Sequence, residues 1–211
     1  MFKEFNVKRI LSILRYLQDY LEGTPENKNY MKLIKLVYFA DRYHMRKYGT
    51  FITHDDYYAI KLGPIPTRTL NIVTLNDFYL QLELSRIDCD YVKKNIYREG
   101  NNITINADVD FRLISKSAMK ALDFALKTFS KFDQFQLSDI THDYDEWKRH
   151  RNHFDSGKKE RKDIQLNDFF KTMNFEDSGF VHNFFKEDPF KEDPNFLKLA
   201  EEDFIANKVI C

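Results

Sequence analysis

Apolar residues recur every three or four positions near the start of the chain. Val7, Ile10, Leu11, Leu14, Leu17 and Leu21 line one face of a helix. Gly23, followed by Thr24-Pro25, marks its end, because glycine suits a helix C-terminus and proline cannot continue the hydrogen-bond ladder. Residues 31–40 are apolar around most of a helical circumference, which predicts a second helix over about residues 30–48. That helix should be buried on several sides and stop at Gly49. Residues 57–62 read as a short strand, and Gly63-Pro64-Ile65-Pro66 as a fixed, non-helical corner, since proline forces the residue before it into extended geometry. Pro66 or Thr67 then opens a helix carrying Leu70, Ile72 and Val73.

Further along, residues 91–107 read as a β-hairpin with Glu99-Gly100-Asn101-Asn102 at its tip and Ile103 and Ile105 alternating in the return strand. A helix over about residues 117–129 carries the stripe Ala118, Leu122, Ala125 and Phe129, with Ser115 as its cap. A shorter one covers 137–142, and Trp147 follows closely. After Arg151 the pattern changes. Residues 156–163 form a dense charge run, a linker or a solvated helix start. The tail beyond is rich in phenylalanine, and Pro189 and Pro194 are expected to break any long helix there. These elements predict an α+β, predominantly α-helical fold: a compact helical domain over 1–155 with a small β element (a short strand plus a β-hairpin), and a C-terminal extension, 156–211, packed on it.

Composition narrows the class. Of 211 residues, 43% are hydrophobic, with 20 Phe and 12 Tyr, enough for a substantial core. Lys and Arg together number 33, as do Asp and Glu, so there is no basic surplus of the kind a nucleic-acid backbone demands. The sequence lacks an apolar run of membrane-spanning length, and its charged N-terminus is unlike a signal peptide. Cys89 and Cys211 lack metal-ligand spacing and read as free thiols of a reducing cytosol, so a cytoplasmic location is expected.

Candidate chemistry is sparse. Asp41, His44 and Tyr48 can share a face of the second helix, either as a recognition patch, as an acid–base pair for a hydrolase or nucleic-acid-modifying enzyme using Asp41 and His44, or as a solvated helix end. No nucleophile or metal set accompanies them in the sequence. His142, Asp143, His150, His153 and Asp155 fall near one another without any zinc-type pattern, and the basic run 148–151 would repel a cation. Asp108 and Asp110 are a weak acidic pair. Walker and dinucleotide glycine loops are absent, and no metal or cofactor is expected.

One stretch carries a resemblance. Leu33-x-Lys35-Leu36-x-Tyr38-Phe39-Ala40-Asp41-Arg42-x-His44, Tyr48-Gly49, Tyr57-x-Ala59 and Gly63-Pro64-Ile65-Pro66 resemble the signature of the Panacea (SocA-like) antitoxins of type II toxin–antitoxin systems. Leu137-Ser138-Asp139-Ile140-Thr141-His142, with Trp147 behind it, resembles that family's closing helix. The resemblance spans roughly the first 150 residues; the last 60 match nothing recognisable. It implies a non-enzymatic protein that neutralises a toxin by direct binding, and one branch of the family delivers its toxin to a bacterial protease. The motif positions are Tyr38, Asp41, Arg42, His44, Gly63, Pro64, Pro66, His142 and Trp147. They are candidates for contact with a partner, or for a structural role in which Asp41 or His44 bonds the Gly63-Pro64 corner.

Overall fold

The computed structural model describes residues 4–24 and 26–209. The first two helices are opened by asparagine caps. Asn6 accepts from Arg9 N ahead of α1 (Val7–Tyr20), and Asn29 accepts from Lys32 N ahead of α2 (Tyr30–Tyr48). α2 ends at Gly49, whose φ of +63 is the left-handed conformation that glycine adopts without strain. Pro25 lies outside the described residues, as do the N-terminal Met1, Phe2 and Lys3 and the C-terminal Cys211.

α2 is the hub that its apolar circumference predicts. Leu33, Ile34, Leu36, Val37, Tyr38, Phe39 and Ala40 are all buried. Around it pack α1, α6 (Lys116–Phe129), α7 (Gln134–Thr141) and α11 (Pro194–Val209). Phe39 stacks on Phe129 at 3.9 Å between ring centroids. Ser115 caps α6 as the sequence suggests, while α7 begins earlier than its apolar spacing indicates, because Asp133 and Gln136 form a capping box.

The β structure differs from the sequence reading in three places. The Gly-Pro-Ile-Pro tetrapeptide is not a corner but a strand, β2 (Gly63–Pro66), antiparallel to β1 (Tyr57–Ile60) with Tyr58 opposite Ile65. It lies at the edge of its sheet, where prolines at alternate positions cost no ladder bonds. The charged run is neither a free linker nor a helix start. Its end, β5 (Lys162–Asp163), pairs with the other side of β1, and Arg161 covers the Tyr58 ring. After α3 (Thr67–Thr74) come α4 (Asp77–Glu83) and α5 (Arg86–Asn95), so residues 91–95 are helical and the second hairpin starts only at β3 (Ile96–Glu99), returning in β4 (Asn102–Ile105). Ser85 caps α5, and Cys89 and Val92 bury its inner face.

After α8 (Asp145–Lys148) and α9 (Arg151–Asp155) the chain crosses back over α2 through a 3-10 turn, Leu166–Phe170, and continues into the short α10 (Val181–Phe184). Phe169, Phe170 and Phe190 are buried. Pro194 opens α11 instead of breaking it, since a first helical position has no use for the missing N–H. Among the described residues, no helix is long and apolar enough to cross a membrane.

Candidate functional site

The motif residues gather along one side of α2 and on the elements that cover it. Eight of the nine are buried and His142 is half-buried. Asp41 points at the segment joining α2 to β1. Its Oδ1 accepts from Ile52 N at 2.6 Å and Thr53 N at 3.2 Å, and its Oδ2 from Tyr57 OH at 2.7 Å and from the Thr53 hydroxyl. Burial raises its pKa to about 6 against the pull of these donors. Asp55 repeats the device one step on. It holds Arg68 N, Thr69 N and the Thr69 hydroxyl at 2.6–2.8 Å, opening α3, and burial raises its pKa to about 7.

The next residue of α2, Arg42, forms an ion pair with Glu146 of α8, both fully buried. Tyr38 OH donates to the same carboxylate oxygen, and the guanidinium lies 4.0 Å from the centre of the Tyr144 ring. Burial alone would weaken Arg42's hold on its proton, but the Glu146 charge reverses this and the net shift is upward. Arg46 is spent on backbone: its Nε donates to Phe190 O at 3.1 Å and its Nη1 to Phe169 O and Lys171 O at 2.9 Å. Burial lowers its pKa to about 10.

At the other end of α2 the β1–β2 hairpin is held through its carbonyls. Lys35 Nζ donates to Pro64 O at 3.1 Å, Ser138 Oγ to Leu62 O at 2.6 Å and Trp147 Nε1 to Ile60 O at 2.7 Å. His142 stacks on Trp147 with centroids 3.6 Å apart, and burial, then the Lys35 and Arg151 charges, lowers its pKa to about 3, which keeps it neutral. Gly63 has φ +102, and a Cβ there would run into Thr141 Oγ1 and Lys35 Nζ. The start of β2 is thus held by Lys35, while Asp41, one of the two residues weighed for that bond, is taken up by Ile52, Thr53 and Tyr57.

His44 faces elsewhere. Its Nδ1 is 2.6 Å from Thr50 O, which can only accept, and so carries a proton, and its Nε2 is 3.0 Å from Ser117 Oγ. Asp41 and His44 thus bond neighbouring parts of the segment that joins α2 to β1, and His44 reaches Ser117 of α6 as well. Asp110 pairs with Arg112, and His153 approaches Glu160 at 3.5 Å. Asp143, considered only as a metal neighbour, caps the chain at Gly179, Phe180 and Val181 with three N–H bonds of 2.6–3.0 Å. Among the described residues no group of His, Cys, Asp and Glu is arranged to hold a metal ion.

Sequence spacing missed Glu146, Arg46, Asp55 and Asp143 as participants. The available signal was their charge inside otherwise apolar surroundings: Arg46 on a buried helix, and Asp143 and Glu146 flanking Tyr144 beside Trp147. Lys35 was visible as a motif position without a stated role.

Residues 33–148 match the family model described as antitoxin SocA-like, Panacea domain. No curated protein and no solved structure matches the chain.

Proposed function

Because the chain belongs to the Panacea-domain family of SocA-like antitoxins, we propose that it neutralises a cognate toxin by binding it directly. The observation that carries this reading beyond the family is the burial of the motif. Tyr38, Asp41, Arg42 and Trp147 are at most 3% exposed and bond inside the protein, Tyr38 and Arg42 to Glu146, Asp41 to the segment ahead of β1 and Trp147 to Ile60 O. A motif so placed shapes a scaffold, and a partner is met by outward-facing residues around it. Those positions are free to differ between family members that bind unrelated toxins.

The test is genetic and then biochemical. Each reading frame adjacent to the gene is expressed alone and with this chain in the native host. One frame is expected to arrest growth alone and to be tolerated in its presence, and the tagged chain should then retain that product in a pull-down. A neighbourhood with no toxic frame, or a toxic frame that this chain does not counter, removes the antitoxin reading. Rescue without co-purification removes direct binding only. A protease recovered with the pair would add the adaptor role of one family branch.

A further inference from the structure

Four charged side chains meet beneath Phe190, and each keeps one polar atom unpaired within the protein. Arg42, Arg46, Glu146 and Asp188 are at most 5% exposed. Phe190 ties them together. Its N donates to Asp188 Oδ1 at 2.9 Å, its carbonyl accepts from Arg46 Nε, and its ring lies 5.2 Å from the Arg42 guanidinium. Tyr144 OH is 3.3 Å from the same Asp188 oxygen, and Arg42 is paired with Glu146. The charges of Arg42, Asp188, Glu146 and Glu192 all act on Arg46, and Glu192 is itself paired with Lys47 at 3.1 Å, which leaves the first three and Arg46 as one neighbourhood of two positive and two negative groups. Left over are two donors, Arg42 Nε and Arg46 Nη2, and two acceptors, Glu146 Oε2 and Asp188 Oδ2.

Buried polar atoms in folded proteins are nearly always paired, with protein or with ordered water. We propose that these side chains enclose an internal water site, in which water accepts from the two guanidiniums and donates to the two carboxylates. The charges argue for water over an ion. Two positive and two negative groups cancel, so an added ion would leave net charge in an interior that solvates it poorly. Water brings none and supplies donors and acceptors together. Such a site would join α2 and α8, inside the family-matched region, to the segment just ahead of α11, outside it.

The deciding experiment is a crystal structure of the full chain at a resolution that shows ordered water, with a parallel crystal soaked in bromide. The expected result is a water peak about 2.7–3.2 Å from at least one of the two guanidinium nitrogens and one of the two carboxylate oxygens. Arg46 Nη2 bonded directly to Glu146 or Asp188, with no peak between, overturns the proposal. So does an anomalous bromide peak at that position, which would make it an anion site. In solution, the Phe190 amide proton should show magnetisation transfer from a long-lived water, and Asp188→Asn, which turns an acceptor into a donor, should abolish it. Transfer absent in the unmodified protein, or unchanged in a folded D188N variant, also overturns the proposal. If that variant does not fold, the two crystals of the unmodified chain decide.

Discussion

At Gly63 a φ of +102 coincides with side chains pressed against the place of a Cβ, so Gly63→Val meets backbone strain and steric conflict together. A loss of about 4 kcal/mol or more is expected, read as a fall in urea midpoint, whereas Asp56→Ala, at the exposed position just ahead of β1, should be nearly neutral. Lys35 gives a signature in pH. Burial lowers its pKa from 10.5 to about 7, so between those values the unfolded chain carries a proton that the folded chain lacks. Stability therefore rises as pH increases from 7 towards 10, by up to about 1.4 kcal/mol per pH unit. Asp41 and Asp55 act in the opposite sense lower down. Their folded pKa values, raised to about 6 and about 7, mean the folded chain binds more protons above pH 3.8, and stability falls as pH climbs through that window. The expected profile has a minimum near neutrality. Denaturant melts from pH 5 to 9 check it, and Lys35→Met should remove the alkaline rise; a profile already flat in the unmodified protein would refute the assignment.

Elements were legible where local pattern decides them. The limits of α2 follow from its apolar run and Gly49, and α6 from its stripe and Ser115, because caps and periodicity are local properties. What stayed hidden depends on distant residues. Strand β2 exists because β1 lies beside it, and β5 because a charged run happens to return to the free side of β1. In the same way the motif could be recognised as a set while the partners of its members could not: Glu146 lies 104 positions beyond Arg42. The short α10 is likewise held from outside, by the Asp143 carboxylate on its leading N–H groups. Asp143→Ala should cost about 2 kcal/mol. Hydrogen exchange should accelerate at residues 179–181 while the amides of α2 stay protected.

For the whole molecule, we expect that the chain does not tolerate removal of residues 156–211. Truncation at Ser156 takes away β5, the Phe169 and Phe190 rings and every carbonyl that Arg46 holds, and so exposes the most charged part of the interior. The fragment should aggregate or lose its cooperative thermal transition in circular dichroism. A fragment that melts as the full chain does would instead assign the tail a separate task. The reach of Arg46 has a consequence in time as well as in space. Phe190 is 144 residues further along the chain, a stretch that takes on the order of 10 s to synthesise at roughly 5–20 residues per second. Until Phe190 is made, the Arg46 guanidinium lacks the carbonyl its Nε grips, and Phe39 of α2 lacks the Phe190 ring against it. A ribosome halted between residues 148 and 190 thus holds every signature residue of the family and the partners they bond, yet leaves Arg46 without the carbonyl it grips at Phe190.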